Sequence, residues 1–73
     1  MKYPLQHIIE YTIALIADFA KKYNLTERQA FNYLRIHHGI DFIEENYGLI
    51  HTFDFKEAVD SLAMYCNRNG GQL

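Results

Sequence analysis

Residues 4–23, PLQHIIEYTIALIADFAKKY, decide the fold of this chain. At about 100° per residue their side chains separate into two sides of a helix. Leu5, Ile8, Ile9, Thr12, Ile13, Leu15, Ile16, Phe19, Ala20 and Tyr23 fall on one arc of about 160°. Gln6, His7, Glu10, Asp18, Lys21 and Lys22 face the other way, with Tyr11, Ala14 and Ala17 between them. An arc that wide can line a core built from several other elements, so the rest of the chain is expected to pack around this helix. Pro4 suits its first turn, and Lys21 and Lys22 suit the negative end of its dipole.

Working outward, Thr26-Glu27-Arg28-Gln29 reads as a capping box, with Leu25 and Ala30 placed for a hydrophobic staple. A second helix is predicted over 27–38, with Gly39 as its stop. Asp41 reads as the next N-cap, with Glu44 three residues on, for a short helix over 42–47 ended by Gly48. Leu49 and Ile50 are expected in the core. Asp54 with Glu57 marks a last helix over 55–68, on which Phe55, Ala58, Val59, Leu62, Ala63, Tyr65 and Cys66 share the apolar side. No stretch alternates as a strand would. The fold class expected is all-α, a small bundle of three main helices plus a short one in a single domain, 1–73.

Composition narrows the partners. The chain has 73 residues, of which 49% are hydrophobic and 15% aromatic, including six Tyr and five Phe. So small a chain buries only about 60% of its unfolded surface, which leaves an apolar surface for a second copy or another protein open. The formal net charge is −2, and the seven Lys and Arg are dispersed. Nucleic-acid binding relies on clustered cations, so that partner is disfavoured. One Cys excludes an internal disulfide and suits a reducing compartment. The apolar run from Tyr11 to Ala17 is far shorter than the roughly 20 residues of a membrane span, and residues 1–5 lack a signal-peptide pattern. A cytoplasmic protein without membrane association is expected.

The chemistry-bearing residues favour structural roles. His37 and His38 are adjacent, which splays them about 100° apart on a helix, so no metal site is expected. Cys66 lies on an apolar face and reads as a buried thiol. Asp41, Glu44 and Glu45 cluster, but capping and solvation account for them. Gly70-Gly71 follows a helix and does not open one, so it is no phosphate cradle. His51 and Thr52 form a polar pair within an apolar linker and read as a buried anchor for the turn before the last helix. No catalytic constellation and no cofactor site emerge. Tyr11, Ile36 and Met64 lie off the apolar arcs and are the candidate partner contacts.

The segment from Phe19 to Gly71 resembles a family of small bacterial all-helical proteins described as a domain of unknown function. The resemblance rests on Leu25-Thr26 with Ala30-Phe31, on Gly39-Ile40-Asp41-Phe42, on Tyr47 with Leu49-Ile50-His51-Thr52, and on Phe55 with Ala58-Val59-Asp60. Members of that family are often encoded beside small ADP-ribosyltransferase-like proteins. The resemblance therefore implies a non-enzymatic interaction module, an antitoxin-like regulator or partner of such a protein. The alternative is a small nucleic-acid-binding regulator that uses the second and third helices as a helix-turn-helix-like pair. Against it, the third helix would bring Asp41, Glu44 and Glu45 toward phosphates.

Overall fold

Five α-helices follow one another: α1 Leu5–Lys22, α2 Glu27–Ile36, α3 Gly39–Glu45, α4 Tyr47–Ile50 and α5 Phe55–Arg68. They come from a computed structural model that describes residues 3–73. The architecture is all-α, and the described residues contain no strand. None of these helices is long and apolar enough to cross a membrane.

Local chemistry explains most of the boundaries. At the start of α2, the Gln29 N–H donates to Thr26 Oγ1 at 3.1 Å, and the Thr26 N–H donates to Gln29 Oε1 at 2.9 Å. Two otherwise orphaned donors are thereby satisfied reciprocally. Asp54 Oδ1 accepts the Glu57 N–H at 2.8 Å and caps α5 in the same manner. Helix α1 closes with the Leu25 N–H on Ala20 O and the Asn24 N–H on Lys21 O. Asn24 sits in the left-handed region at φ 55°, which completes a Schellman turn with asparagine where glycine is usual. Leu25 then packs onto the core.

The junction of α2 and α3 differs from the sequence expectation. Helix α2 ends at Ile36, and the left-handed residue is His38, at φ 64°, not Gly39. Helix α3 starts at Gly39, three residues before the predicted 42, and ends at Glu45. Asp41 is thus inside the first turn and caps nothing. Its carboxylate lies 3.5 Å from His38 Nδ1 on the exposed surface. Gly39 is buried because α5 lies directly against it: a Cβ there would meet Cys66 Sγ and Leu34 Cδ2, each at 2.8 Å. The glycine answers a close approach between elements, and the turn falls to its neighbour.

Leu15, Ile16, Phe19 and Ala20 of α1 meet Ala30 and Leu34 of α2, Ile43 of α3, Ile50 of α4, and Ala58, Val59, Leu62 and Cys66 of α5 in one core. Among the described residues no polar or charged residue is buried. Helix α1 spans about 27 Å at 1.5 Å per residue, most of the molecule's 32 Å length. Helix α2 is only about 15 Å long and meets α1 from Ile13 onward. The other helices cover only part of the α1 apolar arc: Ile8 and Ile16 are buried, whereas Ile9 and Ile13 are left open. Leu49 is a further departure: α4 turns it out to solvent while Ile50 goes into the core.

Candidate interaction surface

Three α1 side chains expected in the core lie outside it. Leu5 is 57% exposed, Ile9 49% and Ile13 62%. They follow one another at intervals of four, so they form a line that drifts about 40° around the helix at each step. Ile13 shares a depression with Ile16, Glu27, Arg28 and Phe31. Leu5 and Ile9 share another with Ile8, Thr12 and Glu44. Phe31 of α2, itself 44% exposed, prolongs the line. The result is one apolar stripe, Leu5–Ile9–Ile13–Phe31, with Glu44 beside its beginning and Glu27 and Arg28 beside its end. A signal for it exists in the sequence: Leu5, Ile9 and Ile13 recur every four residues along one side of α1.

The residues singled out from sequence as partner contacts do not converge. Tyr11 turns inward, where its hydroxyl donates to Ile50 O at 3.1 Å and its ring stacks on Phe55 at 5.6 Å. Burial, and then the neighbouring Tyr47, push its phenol above the ordinary range. Met64 is exposed beside Tyr23, Tyr33, Asn67 and Leu73. Ile36 is exposed at the last residue of α2, because the helix ends there without redirecting it inward.

His51 and Thr52 hold the turn before α5, though by local bonds at the surface and not as a buried pair. His51 Nδ1–H donates to Tyr47 O at 2.7 Å, and the Thr52 hydroxyl donates to Leu49 O at 2.6 Å. Both acceptors also take a backbone N–H, from His51 and Thr52 respectively, so each side chain adds a second bond to the same carbonyl. The His51 ring also lies flat on Tyr47, 4.7 Å away. Tyr3 meets both rings edge-on.

Several other ionisable groups make structural contacts. His37 Nδ1 donates to Asn69 O at 3.1 Å and ties α2 to the end of α5. Among the described residues, no three His, Cys, Asp or Glu side chains are grouped to hold a metal ion. Lys21, Lys22 and Lys56 border one depression with Asp18, Phe55 and Val59. Lys22 and Lys56 are both paired with Asp60, which draws the Asp60 carboxyl below its usual range through the hydrogen bond from Lys22.

Cys66 is fully buried, and burial pushes its thiol up to about 11. At neutral pH it stays protonated, the wrong state for a nucleophile. A thiol reagent is expected to modify the native protein far more slowly than the urea-unfolded chain; equal rates would place Cys66 at the surface. Linkage adds a pH dependence. The folded thiol titrates above the unfolded one, so the unfolded chain loses its proton first. This contribution to stability is complete below about pH 9 and is lost as pH rises to about 11. Cys66→Ala is expected to flatten that part of the melting-temperature profile.

The molecule is thus a small all-α domain with an open apolar stripe along its first helix. Compared with known families, residues 10–69 match the protein of unknown function DUF3791, and the chain belongs to that family. The match leaves out Leu5 and Ile9, so half of the stripe lies outside the region the family defines. No curated protein and no solved structure matches the chain.

Proposed function

We propose that this chain is a non-enzymatic protein-interaction module that works through the Leu5–Ile9–Ile13–Phe31 stripe. The observation that carries this reading is the exposure of four large apolar side chains in one line. Taken together they open roughly 400 Å² of apolar surface, the size of the largest patch on a typical monomer, which is often functional. Arg28, Glu27 and Glu44 at the ends supply the polar rim that such sites carry. The family resemblance suggests the partner, an ADP-ribosyltransferase-like protein held by an antitoxin-like regulator. A cytoplasmic setting fits the single unpaired cysteine. The nucleic-acid alternative draws no support from α3, which presents Asp41, Glu44 and Glu45 to solvent.

The test is titration of the purified chain into an ADP-ribosyltransferase-like protein encoded beside it, followed by calorimetry. Wild type is expected to bind. Ile13→Glu should weaken binding by about 100-fold, because a carboxylate would be desolvated at the contact. Its melting temperature should hold, since Ile13 is open to solvent in the free chain. Equal binding by wild type and Ile13→Glu would remove the stripe from the interface. Absence of binding by wild type would remove this partner.

A further inference from the structure

We propose that the α1 stripe is also a self-association face, on which a second copy of this chain docks antiparallel about a two-fold axis near Ile9. The inference rests on the stripe being an interface, and it names an occupant for it.

The stripe is suited to pairing with itself. Leu5, Ile9 and Ile13 are evenly spaced, so a two-fold axis through Ile9 lays Leu5 of each copy on Ile13 of the other. Phe31 then extends over the N-terminal end of the opposing helix. Residue i meets residue j and j meets i, as a closed two-fold interface requires. Thr12 lines the same depression as Leu5 and Ile9 and so lies at the seam between the two helices, whereas Ile16 stays in the chain's own core. Thr12 does not bring an unsatisfied hydroxyl into that seam, because it already donates to Ile8 O at 2.7 Å.

Charge favours the antiparallel arrangement. Glu44 borders the Leu5–Ile9 end of the stripe, and Arg28 borders the Ile13–Phe31 end. Rotation about Ile9 carries Arg28 of each copy to the end where Glu44 of the other stands, twice per dimer. Glu27, beside Arg28, remains at the outer edge, where it complements the α2 N-terminus. A parallel arrangement would set Glu44 near Glu44 and Arg28 near Arg28. Two copies of a roughly 400 Å² stripe contribute about 800 Å², and the rim must supply the rest of the roughly 1,200–2,000 Å² that stable interfaces bury in total.

Sedimentation equilibrium on three variants and one mixture tests the proposal. Wild type is expected to form dimers, and Ile9→Glu, at the axis, to raise the dissociation constant by about 100-fold or more. Glu44→Arg and Arg28→Glu should each be monomeric under conditions where wild type is dimeric. Both changes suit their helix ends, a cation late in α3 and an anion early in α2, so folding should survive them. Mixing the two monomeric variants should restore a dimer, because every contact again pairs Arg with Glu. Failure of the mixture to associate while wild type dimerises would overturn the antiparallel register. A wild-type monomer at millimolar concentration would overturn the second copy as occupant. In that event, loss of ADP-ribosyltransferase-like protein binding by Ile13→Glu would still sustain the interaction module, and its retention would end both readings.

Discussion

Phe19→Ala is expected to remove about 3–5 kcal/mol of stability, the range for deleting a large buried aromatic. Phe19 is fully buried on α1, and its ring lies 4.9 Å from Tyr23 and 5.9 Å from Tyr33. It therefore joins α1 to α2 and to the Schellman turn between them. A domain of this length holds roughly 4–11 kcal/mol in all, so the variant should be largely unfolded or close to it at 37 °C. Phe19→Leu keeps most of the volume and should lose less than about 2 kcal/mol. Urea unfolding followed by circular dichroism reads both. A midpoint for Phe19→Ala within error of wild type would mean that Phe19 is not at the centre of this core.

The features legible in the sequence are those whose cause is local. Thr26 with Gln29, and Asp54 with Glu57, are bonds between residues three apart, and nothing distant is needed to foresee them. The features that were not legible depend on tertiary proximity. Leu5, Ile9 and Ile13 share the apolar arc with Leu15 and Phe19, and a helical wheel treats all five alike. What separates them is the side of α1 that the other helices cover, since Ile8 and Ile16 are buried while Ile9 and Ile13 beside them are open. Asp41 has the spacing of an N-cap, but the packing of Gly39 on Cys66 starts the helix earlier and leaves Asp41 in its first turn.

The same distinction governs the candidate site. Tyr11 lies between the two arcs of its own helix, which gave it the pattern of an outward residue. The carbonyl of Ile50, 39 positions away, draws it inward. His51 and Thr52 were recognisable as an anchor because their acceptors, Tyr47 O and Leu49 O, are only three or four residues back. Their exposure was not, since nothing in the sequence states that α4 lies at the surface. The stripe belongs to the first group in its spacing and to the second in its exposure.

Gly39→Ala sets a local gain against a tertiary cost, and the cost is expected to win. Alanine is the better helix former by about 0.8–1 kcal/mol in a helix interior, and Gly39, the first residue of α3 and without a left-handed backbone, stands to gain only part of that. The new methyl would stand 2.8 Å from both Cys66 Sγ and Leu34 Cδ2, and 3.2 Å from Leu34 Cβ. All three atoms belong to fully buried side chains, so neither neighbour can swing into solvent. Overpacking of this kind costs about 1–3 kcal/mol after relaxation, and α3 must move away from α5 to relieve it. The net expectation is a loss of about 1–2 kcal/mol. A double-mutant cycle identifies the cause. Cys66→Ala alone should destabilise by opening a small cavity, whereas in the Gly39→Ala background the vacated space receives the added methyl. The two changes together should then cost less than their sum by at least about 0.5 kcal/mol. Strict additivity would show that the alanine methyl does not press on Cys66, and a Gly39→Ala variant more stable than wild type would show that α3 and α5 are not in close contact at this point.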